Sequence, residues 1–251
     1  MGQSASLDLR RLPMGLPLRR GYHPRPMMPR LVLFDIDGTL LSCRGSGRRS
    51  LDHALEERFG RKGLCQDIVF QGRMDPDIVD EIIANAGGEP GDRQWVLDRY
   101  LAILAEEIVD CPPRVLPGVR DVLRELRGAE SVTVALVTGN LREGAKLKLG
   151  SVGLWDEFQF GCFAEDAHTR GELVSIARQR AEDLTGIAFG RESCFLVGDT
   201  VNDVKAAHHG GAVSVAVATG GQSMEQLAAH EPALLLESLD PAELFLGVVL
   251  P

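Results

Sequence analysis

Three apolar runs constrain the fold of this chain more than anything else in it: VTVALV at 132–137, CFLV at 194–197 and VSVAV at 213–217. Short runs that are apolar throughout, without strict alternation, suit strands buried on both faces of a parallel sheet. Around them lie stretches with helical spacing, PGVRDVLREL led by Pro117, LREGAKLKLGSVGL, GELVSIARQRAEDLT, NDVKAAHHG and SMEQLAAH, and two further apolar segments, FQFGCFAE and ALLLES. Strand and helix alternating in this way predict a doubly wound α/β parallel sheet. The run LVLFD at 31–35 reads as another strand of that sheet, yet a long helical stretch separates it from the rest. SLDHALEERFG, DPDIVDEIIANAGG and DRQWVLDRYLAILAEEIVD fill residues from about 46 to 111. In the second of these, Asp75 reads as the N-cap, Pro76 suits the first helical position and Gly87-Gly88 closes the helix. The pattern changes at Pro112-Pro113. The sequence therefore predicts an α/β core from 31–45 and 114–251, with a small all-helical domain inserted at 46–113.

Charge and cysteine usage narrow the function. A net charge of -9 disfavours nucleic acid as a partner of the folded body and suits divalent cations. Five scattered cysteines without a CxxC pair argue for a reducing, cytoplasmic setting and against a zinc site. No apolar run is long enough for a membrane span. Residues 1–30 carry six Arg, no Lys and many Pro and Gly, and read as a disordered basic arm. That arm leaves three alternatives open: an upstream extension before a start at Met27 or Met28, lipidation at Gly2, or an Arg-rich transit peptide.

Ligands of open α/β sheets bind beyond the carboxyl ends of the strands, so the polar residues there matter most. The first strand ends at Asp35, with Asp37 two positions on. The run at 132–137 ends at Thr138, followed by Gly139 and Asn140. The run at 194–197 leads to Asp199, with Asp203 four residues further. Each residue alone reads equally well as a cap or a turn, Asp203 as the cap of the VKAAHH helix for example. Gathered at one edge of one sheet, four acids repel unless a cation joins them, and an oxygen-only donor set favours Mg²⁺ over zinc. The chain has only four lysines. On the helix after Thr138, Leu141, Ala145, Lys148 and Val152 share one face by the 3.6 period. Lys148 should therefore point inward and Lys146 outward. A buried ammonium needs anions beside it.

Asp35-Ile36-Asp37-Gly38-Thr39, Thr138 in VTGN, and Gly198-Asp199-Thr200-Val201-Asn202-Asp203 resemble, in that order, the motifs of the haloacid dehalogenase-like superfamily. The resemblance covers about residues 31–240, and phosphoglycolate phosphatase-like members are the nearest subgroup. It implies a Rossmannoid core with a helical cap and a Mg²⁺-dependent phosphatase acting on a small phosphate ester. Asp35 would be the nucleophile, giving an aspartyl-phosphate, and Asp37 the acid and base, with its pKa raised for that task. Asp35, Asp37, Asp199 and Asp203 would bind Mg²⁺, Asp37 through its carbonyl. Thr138 and Lys148 would hold the phosphoryl group, and Lys148 would help keep Asp35 anionic. The family's basic residue often stands in a Lys-Pro before the helix that precedes GDxxxD, where this chain has HTRGEL. Lys148-Leu149 matches the alternative placement, which leaves Arg170 in reserve.

Substrate-binding positions are assigned to Gly139, Asn140, Arg73 and Arg170. Arg73 falls in FQGRMDPDI, where related phosphatases carry a Gly-x-Thr-Asp-like cap loop. It is placed either to read a substrate carboxylate, as phosphoglycolate would require, or as a solvated loop residue. Met74 replaces the hydroxyl residue of that loop. A sugar phosphomutase, a receiver-like phospho-acceptor domain and a non-catalytic protein that binds through its basic arm stand as alternatives. The sequence leaves the oligomeric state open.

Overall fold

The computed structural model describes residues 28–250. Its centre is β1 (Arg30–Phe34), flanked by β4 (Val132–Val137) and β5 (Phe160–Cys162) on one side. On the other side lie β6 (Cys194–Gly198), β7 (Val213–Val217) and β8 (Leu234–Leu236). All neighbours pair in parallel in the order β5-β4-β1-β6-β7-β8. The chain fills one side of β1 first and then crosses to the other, so the strand order reverses at β1. That is where an open sheet forms its ligand crevice.

Burial on both faces explains the continuous apolar runs. Leu31, Leu33, Ala135, Val137 and Leu196 pack with Leu173, Val174 and Ala177 of α6 (Arg170–Thr185). Val32, Phe34, Val134, Leu136 and Val197 pack on the opposite face with Val122 and Leu126 of α4 (Val119–Gly128). Phe245 of a C-terminal helix, α9 (Ala242–Val249), joins this second layer.

The insertion consists of α1 (Ser46–Phe59), α2 (Asp75–Ala86) and α3 (Asp92–Asp110). Along α3 the buried residues Val96, Leu97, Tyr100, Ile103, Leu104 and Ile108 recur at three- and four-residue steps, the stripe that seats a helix on its neighbours. A two-stranded antiparallel ribbon brackets the insertion, β2 (Leu41–Ser42) with β3 (Arg114–Val115), in register Leu41↔Val115. Strands of two residues carry no readable periodicity, and the sequence gives no sign of them.

Three local readings change. Met74, not Asp75, is the N-cap of α2, and its side chain does not cap. Asp75 is the first helical residue, which frees its carboxylate for another partner. Thr200 rather than Asp203 caps α7 (Val201–Gly210), and Asp203 completes a capping box from the third helical position. Arg30, read with the basic arm, opens β1, and its guanidinium donates to the carbonyl of Glu192 at 2.6 Å. The rest of the arm, residues 1–27, lies outside the described residues.

Candidate active site

Four neighbouring strands end in polar residues at the same edge of the sheet. Asp35 follows β1, Asp199 follows β6 and Thr138 follows β4, all as expected from the sequence. β7 adds Thr219, Gly220 and Gly221, and all six residues line one cavity of about 480 Å³ between the sheet edge and the helical cap. The backbone N–H of Asp35 donates to the Val197 carbonyl at 3.0 Å, so the ladder between β1 and β6 fixes where that carboxylate begins.

Asp35, Asp199 and Asp203 form one buried cluster, with carboxylate oxygens all within 4.8 Å of one another. Arg170, the first residue of α6, pairs with Asp35 through Nη2 and with Asp203 through Nε at 3.0 Å. These contacts are ionic by distance only: Nε and Nη2 of Arg170 and Oδ1 of Asp203 have no partner at hydrogen-bond geometry. Asp203 Oδ2 is fully used, accepting the Thr200 N–H at 3.0 Å and its hydroxyl at 2.6 Å. Thr39 donates its hydroxyl to Asp199 Oδ1 at 3.2 Å.

One guanidinium does not balance three buried carboxylates. Burial, opposed by Arg170 and reinforced by Asp203 and Asp37, raises Asp35 to about 7. Burial and the two neighbouring acids raise Asp199 to about 8. Both shifts mark a site one cation short of neutral.

Asp37 sits in a different environment. Its carboxylate opens on the cavity and accepts Lys148 Nζ at 2.7 Å and Asn140 Nδ2 at 2.8 Å. The same Asn140 amide donates to the Thr138 hydroxyl at 2.8 Å, and Lys148 also donates to Asn140 Oδ1. Lys148 is buried and Lys146 exposed, so the helical phase read along α5 (Arg142–Gly150) is the observed one. Burial would raise Asp37, but the Lys148 ammonium and the bonds from Lys148 and Asn140 outweigh it and hold it below the usual range. Lys148 rises well above its ordinary value: burial opposes this, but the carboxylates of Asp37 and Asp75 outweigh it.

Three expectations are thereby corrected. Lys148 does not lie on Asp35; its partner is Asp37, and the cation on Asp35 is Arg170. The two basic candidates are not alternatives, since each serves a different acid. Asp37 is not raised at rest, because an ammonium and an amide both bond to it. Arg73, placed from the sequence either to read a substrate carboxylate or as a solvated loop residue, lines the cavity, pairs with Glu81 at 2.5 Å and donates to the carbonyls of Val69 and Asp77.

Sequence reasoning missed the residues after β7. The Thr219 hydroxyl donates to the Gly38 carbonyl at 2.6 Å and ties that loop to the Asp37 turn. Asp199 lies between two glycines. A Cβ on Gly38 (φ 88°) would come within 2.4 Å of Asp199 Oδ2, and one on Gly220 within 1.6 Å. Thr-Gly-Gly after an apolar strand is the available signal, a weak one because it carries no charged group. Asp75 and Tyr100 also line the cavity, and neither stands at a strand end: both lie on helices of the cap.

A family model described as haloacid dehalogenase-like hydrolase matches residues 29–211, which include all three motifs. The chain belongs to the haloacid dehalogenase-like hydrolase family. It is 26% identical to "Probable phosphatase IndB" of Dickeya dadantii (strain 3937), over 84% of this chain and 90% of that protein. It is also 26% identical to "Phosphoglycolate phosphatase" of Synechococcus elongatus, over 86% and 96% respectively. Among solved structures, CbbY from Rhodobacter sphaeroides in complex with phosphate superposes with a TM-score of 0.67 at 16% identity, over 84% of this chain and 95% of that one. This hydrolase family thus accounts for both the doubly wound core and the inserted helical cap.

Proposed function

We propose that the protein is a Mg²⁺-dependent phosphatase that hydrolyses a small phosphomonoester through a phosphoryl group carried on Asp35. One observation carries the reading: two carboxylates only two positions apart sit in opposite surroundings. Asp35 belongs to the acid cluster with Arg170, whereas Asp37 belongs to Lys148 and Asn140 and faces the cavity. The oxygen-only cluster, with an Asp203 Oδ1 that accepts no hydrogen bond and two acids raised for want of a cation, fits Mg²⁺ held by Asp35, Asp199 and Asp203. When bound, that ion supplies charge that keeps Asp35 ionised and offsets the phosphoryl oxygens.

In the first step a carboxylate oxygen of Asp35 attacks phosphorus and the ester P–O bond breaks. The departing alkoxide takes a proton from Asp37. A water then gives a proton to Asp37, attacks the same phosphorus, and releases inorganic phosphate with Asp35 restored. Asp37 needs a proton for the first step, which its resting contacts oppose. A phosphoryl dianion entering beside it adds negative charge and competes for Lys148 and Asn140, and both changes raise its proton affinity. Thr138, Asn140 and Lys148 then hold the phosphoryl oxygens, and the cap excludes water from the first step.

The helical cap beside the cavity favours catalytic turnover of a small molecule over a receiver-like acceptor, which has no cap. The test is hydrolysis of 4-nitrophenyl phosphate with Mg²⁺ and with chelator. Asp35→Asn should abolish the rate while the fold persists by circular dichroism. Metal-loaded protein that never forms an acyl phosphate on Asp35 refutes the reading.

A further inference from the structure

The cap half of the cavity is built unlike a site for an anion. Beside Arg48, Gln71, Arg73 and Asp75, its lining is the apolar set Leu51, Phe70, Ile78 and Val79 with Tyr100. The Tyr100 hydroxyl lies where glycine leaves room on both sides, 3.7 Å from the position of a Cβ on Gly47 and 4.0 Å from one on Gly144. Burial, reinforced by Asp75, raises the phenol, so it faces the cavity as a neutral group.

Among the described residues four basic side chains line the cavity, and each is engaged. Lys148 and Arg170 serve Asp37 and the acid cluster. Arg48 donates to the carbonyls of Cys65 and Ile68 and lies 4.3 Å over the ring of Phe70. Arg73 is neutralised by Glu81. Arg48 keeps its positive charge but turns it to those carbonyls and that ring, and Asp75, raised by burial to about 6, is still mostly ionised at neutral pH. A leaving group carrying a carboxylate would lose its hydration, have to compete with the groups already bonded to Arg48 and Arg73, and approach Asp75.

We infer that the cap selects an uncharged, largely apolar leaving group, so that the preferred substrates are phosphate monoesters of neutral alcohols rather than carboxylate-bearing esters such as 2-phosphoglycolate. This selectivity rests on the phosphatase reading above and deepens it. The leaving alcohol's body packs on Leu51, Ile78, Val79 and Phe70, with the neutral Tyr100 hydroxyl among the polar groups lining the same cavity. Discrimination comes as much from what the cap withholds from an anion as from what it offers a neutral group.

The experiment compares benzyl phosphate, 2-phosphoglycolate and 4-nitrophenyl phosphate with the full-length protein and Mg²⁺ at neutral pH. Benzyl phosphate should exceed phosphoglycolate in kcat/KM by at least about tenfold, since like charges and stranded polar groups both oppose the anion. Glu81→Gln, on the partly exposed outer side of α2, should release Arg73 and shift that ratio severalfold towards phosphoglycolate. Phosphoglycolate matching or exceeding benzyl phosphate in the unmodified protein would overturn the inference. A ratio unmoved by Glu81→Gln would overturn the inference that the cap withholds its cations from an anionic leaving group. Failure of all three esters, the activated aryl ester included, would instead bring down the phosphatase reading itself.

Discussion

The carboxylate of Asp75, on the cap, accepts the backbone N–H of Leu141, on the core, at 3.0 Å. The Asp75 N–H donates in turn to the Gly139 carbonyl at 2.8 Å. The Asn202 amide adds a third tie, to the Gly72 carbonyl at 3.0 Å. The loop that opens α2 is thus latched onto the strand end carrying Thr138 and Asn140, and closing the cap and shaping the phosphoryl pocket share the same bonds. Removing the acceptor should loosen both. Asp75→Ala strands a buried N–H, a cost of about 1 to 3 kcal/mol to the closed state. It should lower kcat/KM by roughly that much and speed hydrogen exchange at the Leu141 amide. Asp75→Asn keeps an acceptor oxygen and should stay much closer to the parent. Equal exchange at Leu141 in all three proteins would show that the latch does not hold the cap.

Lys148 and Lys146 stand two residues apart and face opposite ways. Lys148→Ala removes the ammonium from Asp37 and from the phosphoryl position, and steady-state assays should show a fall in kcat of about 10²–10³-fold. Lys146→Ala should stay within about twofold, as exposed substitutions usually do. Comparable losses from the two would mean that α5 presents a different face to the site in solution.

Much of this arrangement was legible in the sequence, for physical reasons that can be named. The core strands were readable because burial on both faces leaves continuous apolar runs, and Asp35, Thr138 and Asp199 because they stand where those runs stop. Lys148 was readable because helical periodicity fixes its face. Which acid it meets was not, since Asp37 lies 111 residues away in the chain and only the fold sets that distance. The pairing of Arg73 with Glu81 eluded the reading although the two are close in sequence. Arg73 precedes the helix and Glu81 lies within it, so their meeting depends on how the loop enters α2. The β2–β3 ribbon and the glycines around Asp199 escaped because neither has a periodic signature.

Gly220 offers a test of the metal cluster that replaces no proposed ligand. It has an ordinary backbone angle, so Gly220→Ala adds steric pressure on Asp199 without the strain expected at Gly38, whose φ is 88°. A methyl group 1.6 Å from Asp199 Oδ2 cannot be accommodated unless the carboxylate moves. The Mg²⁺ concentration giving half-maximal activity should rise by about 10- to 100-fold, as when other groups that orient a metal ligand are changed. A magnesium titration of the 4-nitrophenyl phosphate rate reads it directly. An unshifted midpoint would remove Asp199 from the metal site.

The raised acids also set how stability should depend on pH and on magnesium. In the cation-free protein Asp35 and Asp199 are raised from 3.8 to about 7 and about 8, chiefly by burial. Between pH 4 and 8 the folded state therefore holds more protons than the unfolded chain. Stability must then fall as pH rises through that window, because each acid ionises against its surroundings. Asp37 and Asp166, both lowered, act in the opposite sense but only below their ordinary value of 3.8. They leave the window untouched. Mg²⁺ favours the ionised cluster, so its stabilising effect should grow with pH. Thermal melts with chelator and with excess Mg²⁺ at pH 5.5, 6.5, 7.5 and 8.5 are expected to give a widening gap in Tm, with the chelated protein losing ground at each step. A chelated Tm that is flat or rising across that range would show that these carboxylates ionise freely without the metal, and the cluster would then not be the cation site.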